Sequence, residues 1–196
     1  MDTKAQTPAL RLQEAVDAGE LGLWDLRPEL ETVHYSPQWK LRLGFPEPHR
    51  ADSTHFWRCR VHPGDLPGML TAMREHLSGT ESTYEATFRL RSNGSGYRVM
   101  LSRGRVIEKA ADGRATRMVG TMVDLTPRPC TPQSGLADGA RGPMAGASLG
   151  LPFHLLLGAQ RAGEATAAAA ERRRVLNLVD DLMLATLGHL EALRAA

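Results

Sequence analysis

The chain has 196 residues, 42% of them hydrophobic and 23% charged, which suits one ordinary soluble domain plus something smaller. Its 24 basic and 22 acidic side chains leave a formal net charge of +2, so it carries no electrostatic footprint for nucleic acid or an anionic membrane. Cys59 and Cys130 are too few and too far apart for a disulfide framework, and they read as reduced and intracellular. The start of the chain lacks the apolar core of a signal peptide. The longest apolar run, Leu149 to Ala159, is broken by Pro152 and His154 and falls short of the roughly 20 residues a membrane span needs. These features predict a soluble, cytoplasmic protein.

Taken in chain order, Leu10, Leu12, Ala15, Val16 and Ala18 recur at helical spacing, and residues 1–20 are read as an N-terminal helix. Gly22 to Leu26 reads as a strand with Trp24 and Leu26 on one face, and Thr32 to Tyr35 as its partner. Pro37 suits a first helical turn with Ser36 as N-cap. Asp65 opens a longer helix in which Leu66, Met69, Leu70, Met73 and Leu77 form one stripe, ended by Gly79. Tyr84, Ala86, Phe88 and Leu90 alternate with polar residues, the pattern of a half-buried strand. Asn93-Gly94 signals a turn before a strand over Tyr97 to Ile107. Asp112-Gly113 signals another before Arg117 to Leu125. This is an α+β plan, a single sheet with helices on one face.

Residues 127–146, rich in proline and glycine, read as a linker. Residues 147–196 read as an α-helical hairpin. Its stripe of Leu149, Phe153, Leu156, Val175, Val179, Leu182, Leu187 and Leu190 is too apolar to face water, and a lone hairpin cannot cover it. Two hairpins packed as a four-helix bundle would cover it, which predicts a homodimer.

Gly22-Leu23-Trp24-Asp25, Tyr35-Ser36-Pro37-Gln38-Trp39-Lys40, His62-Pro63-Gly64-Asp65, Phe88-Arg89-Leu90-Arg91 and Gly120-Thr121-Met122-Val123-Asp124-Leu125-Thr126 occur in an order that resembles a PAS domain of the PAS-3 type. The resemblance places that domain at residues 21–126. It implies a five-stranded antiparallel sheet, helices enclosing a small pocket, and sensing, dimerisation or signal relay with a protein partner. The hairpin resembles, more faintly, the dimerisation region of sensor histidine kinases. Where that family has its phosphoaccepting His-Glu, this chain has Ala147-Ser148, which implies no catalytic activity of its own.

Several residues invite sharper readings. Trp24, Met69, Met73, Phe88 and Met122 could line a ligand cavity or simply fill a core. His55 and His76 stand where haem-binding relatives place an iron ligand, although a cationic His76 near a helix end would equally complement the helix dipole. His154, two helical turns after Ala147, is a candidate phosphoacceptor for a histidine-kinase remnant or phosphotransfer protein, or an ordinary surface residue. Cys59-Arg60 lacks the polar neighbours of a flavin site, and Cys59 reads as a buried, inert thiol. Two cysteines without paired spacing cannot complete a structural zinc tetrahedron.

Overall fold

A computed structural model describes residues 7–45, 47, 49–93, 96–126 and 167–195. The linker at 127–146, the first hairpin helix with Leu149, Phe153 and Leu156, and His154 lie outside the described residues. Helix α1 spans Pro8–Asp17 and strand β1 Leu21–Arg27. Strand β2 (Thr32–Tyr35), helix α2 (Pro37–Arg42), a two-residue strand β3 (Asp52–Ser53) and helix α3 (Thr54–Arg58) follow. Helix α4 (Leu66–Ser78) precedes three long strands, β4 (Tyr84–Arg91), β5 (Tyr97–Lys109) and β6 (Ala115–Asp124), and helix α5 covers Ala167–Ala195.

The sheet runs β3-β2-β1-β6-β5-β4, and every neighbouring pair is antiparallel. The five-stranded antiparallel sheet with flanking helices is therefore present, extended at one edge by the short β3. First and last strands meet in the middle, so Trp24 of β1 lies opposite Gly120 of β6, and Gly120 lies opposite Gly104 of β5. No helix among the described residues is long and apolar enough to cross a membrane.

Helices cover both faces of the sheet, which corrects the expectation of a single helical layer. One face carries Trp24, Val33, Phe88, Met100, Met118 and Met122, packed with Trp39 of α2, Trp57 of α3 and the Met69–Met73 side of α4. The other face carries Leu21, Leu23, Val119 and Val123, packed with Ala15 and Val16 of α1 and Val175, Val179, Met183 and Leu190 of α5. β6 is accordingly buried from Arg117 through Val123 without alternation, the signature of a strand covered on both sides.

The premise behind the bundle changes with this arrangement. Val175, Val179, Leu182, Leu187 and Leu190 are all buried within one chain. The outer face of the sheet, with α1, covers Val175, Val179, Met183 and Leu190. Thr186, buried in the same seam, places its Oγ1 2.8 Å from Thr121 Oγ1 and donates to the Leu182 carbonyl at 2.8 Å. Arg11 pairs with Glu191 at 2.7 Å, and Arg194 with Glu20, along the helix edge. Such exposed pairs add little to the burial of the stripe.

Candidate functional site

The site lies between α3, α4 and the inner face of the sheet. Its floor is made by Trp24, whose ring lies across the Gly120–Gly104 pair. A Cβ added at Gly120 would stand 2.1 Å from that ring and one at Gly104 2.5 Å from it. Only glycine at both positions lets the indole lie flat on the strands. The indole N–H is shared between Ser102 Oγ and the Thr121 carbonyl, each 3.1 Å away. Tyr84 meets the same ring edge-on, with centroids 6.0 Å apart.

A second aromatic group forms one wall. Tyr35 stacks on Trp39 with centroids 5.0 Å apart and tilts against Trp57 at 4.5 Å. Trp57 Nε1 donates to Asp52 Oδ2 at 2.9 Å, and the buried Lys40 ammonium lies 2.9 Å from the same oxygen and donates to Oδ1 at 3.1 Å. Lys40 also donates to the carbonyls of Glu47 and Arg50, so it ties the chain entering β3 to α2. Ser36 does not cap α2 with its side chain. Its Oγ instead accepts the Leu23 amide at 3.0 Å, holding β2 to β1. Asp65 likewise turns away from the first amides of α4. It takes the Arg89 amide and two guanidinium nitrogens, each at 2.8 Å, and so anchors the roof helix to β4.

These elements form a cavity of about 100 Å³, partly open to solvent and lined by all five residues singled out in the sequence, Trp24, Met69, Met73, Phe88 and Met122. Tyr35, Thr54, Trp57, Arg58, Tyr84 and Ser102 also line it and were missed. Tyr84 was legible, because it shares the inward face of β4 with Phe88 under the two-residue period. Burial pushes the Tyr84 phenol up to about 12. Burial, then Tyr84 and Asp52, push Tyr35 higher still. Both stay protonated.

The histidines do not fit an iron. His76 is not the surface cation the sequence suggested. It is buried at 5% exposure, its Nδ1–H donates to the Glu81 carbonyl at 2.9 Å, and its Nε2 accepts the Val106 amide at 3.0 Å. Both ring nitrogens are engaged, and the residue is absent from the cavity lining. His55 is exposed and also outside the lining, with Nε2 3.4 Å from Cys59 Sγ. Cys59 itself is exposed, which corrects the reading of a buried thiol. His62 serves its turn, accepting the Gly64 amide on Nδ1 at 3.1 Å. Among the described residues, no group of three His, Cys, Asp or Glu side chains could hold a metal.

Residues 32–122 match the PAS fold family described as PAS-3. A sensory-box histidine kinase/response regulator from Burkholderia thailandensis is 30% identical, with a TM-score of 0.50; the match covers 59% of this chain and 85% of that structure. The N-terminal domain of a diguanylate cyclase with a PAS/PAC sensor from Marinobacter aquaeolei is 20% identical, with a TM-score of 0.47, over 54% of this chain and 95% of that one. None of the curated proteins compared matches the chain. The ordered motifs, the strand order and the match to the Burkholderia sensory box agree, and the chain belongs to the PAS family.

Proposed function

We propose that this chain is a signal-sensing and relay protein without catalytic activity of its own, in which the cavity reads a small molecule and α5 carries the response to a protein partner. The observation that carries this reading is a bridge through one residue. The Thr121 carbonyl accepts from the cavity-floor indole of Trp24, while the Thr121 side chain meets Thr186 of α5 on the opposite face. A ligand that moves the indole changes the strand on which the helix rests, and a buried hydrogen bond transmits such a shift because leaving it half-made is costly. Release of α5 bares both its own stripe and the outer sheet face. The homodimer belongs to that released form, where a second copy can cover them.

The test is amide hydrogen exchange across α5 in Trp24→Phe, which keeps an aromatic floor and removes the shared N–H. Faster exchange in α5 than in wild type, with β4 and β5 unchanged, is the expected result. Unchanged α5 protection would mean that the floor and the helix are not coupled.

A further inference from the structure

A charge borders the cavity, and it stands where the cavity meets water. Among the described residues of the lining, Arg58 is the charged one. It is exposed on α3, while Thr54, also in the lining and on the same helix, is buried. Residues four apart on a helix share a face, so the two offer a hydroxyl and a guanidinium to one group seated at the opening. Other cations of the region are committed: Lys40 to Asp52, Arg89 to Asp65, and Arg60 to the ring of Phe56, 3.5 Å from its centroid. Arg58 belongs to none of the ion pairs found among the described residues.

The interior asks for the opposite chemistry. Met69, Met73, Phe88, Leu90 and Met122 line it, and a full charge placed among them would lose its hydration without gaining a partner. A charge at the mouth keeps part of its water, and there Arg58 sets its sign. The planar guanidinium fork matches a carboxylate, which can take two parallel hydrogen bonds from it. Size sets the rest. An apolar cavity of about 150 Å³ takes benzene. The space here is about 100 Å³ and partly open to solvent, and its methionine side chains are flexible enough to yield a little more.

We infer that the cavity takes a small monocarboxylate. Its apolar body, of about six carbon atoms, lies among the methionines, and its carboxylate pairs with Arg58 and accepts from the Thr54 hydroxyl at the mouth. The inference rests on the reading of the cavity as the sensory site. The test is calorimetric titration of the whole chain, near neutral pH and at low salt, with benzoate, benzamide and benzamidine. These are rings of one shape and size whose head groups are negative, neutral and positive. Benzoate should bind about 2- to 5-fold more tightly than benzamide, the worth of an ion pair in contact with water, with benzamidine weakest. Added salt should narrow the gap by screening. Arg58→Gln should erase it while benzamide affinity stays as in wild type, which also shows the variant to be folded. Thr54→Val should weaken benzoate and benzamide alike and keep the gap. Benzamide binding as tightly as benzoate, benzamidine binding most tightly, or a gap that survives in Arg58→Gln overturns the inference while leaving the sensory cavity intact. If none of the three binds, the cavity is ordinary core and both readings fall.

Discussion

His76 shows how a single ring can finish a sheet. β4 begins opposite Gly104, so the Val106 amide lies beyond the first residue of that strand. The imidazole takes its place, accepting from Val106 and donating to Glu81 across the end of α4. This geometry requires the neutral ring. Burial, with Arg105 and Lys109 adding to it, holds the His76 pKa below its ordinary value of 6.5. The unfolded chain therefore binds the proton first as pH falls. The stabilisation is complete above about pH 6.5 and is lost as pH drops toward the lowered folded value. Urea unfolding at a series of pH values between 7.5 and 5 should show stability falling in wild type. His76→Ala should cost about 1–3 kcal/mol at pH 7.5, because it strands the Val106 amide, and its pH slope should be shallower. Parallel slopes would remove His76 as the origin.

At the scale of elements, the seam between α5 and the sheet is the part most open to measurement. Met183 is 1% exposed between the helix and the outer face. Met183→Ala removes a buried side chain from a site walled by two rigid elements, at a cost of about 2–5 kcal/mol. That cost falls on docking of α5 before it reaches the strands, so exchange should quicken in α5 at temperatures where the β5–β6 amides remain protected. Equal loss in both would make helix and sheet one cooperative unit. The same seam marks the limit of what the sequence disclosed. β4 was legible because its alternation from Tyr84 to Leu90 reports one wet face, and α4 was legible from its stripe and its glycine stop at a φ of +83°. The second helical layer was missed because Met118 to Val123 was read only as a strand. Its run of apolar residues without polar alternation, broken only by Gly120 and Thr121, is what a doubly covered strand looks like. Cavity residues that share an apolar stripe or face, such as Met69, Met73 and Phe88, were visible by periodicity. Tyr35, Arg58 and Ser102, which also lie on β2, α3 and β5, were not, since their value comes from neighbours far away in sequence.

For the whole molecule the open question is which surface the stripe prefers. In one chain Val175, Val179, Met183 and Leu190 lie on Val119 and Val123, and a second copy could offer either another stripe or another sheet. Spoiling the sheet rather than the helix separates these choices. Val123→Asp puts a carboxylate at a fully buried point of the outer face, where an unpaired charge is strongly disfavoured. It leaves every residue of the stripe unchanged. Released helices of this character are too apolar to remain in water. Native mass spectrometry at about micromolar concentration should then show Val123→Asp as a dimer, joined helix to helix, and wild type with a larger monomer fraction. Adding Val179→Asp to the same chain should return it to monomer, because the charge now sits in the stripe itself. If Val123→Asp stays monomeric with α5 exchanging freely, the stripe is made for the sheet alone, and signal relay would have to run through a partner of different sequence.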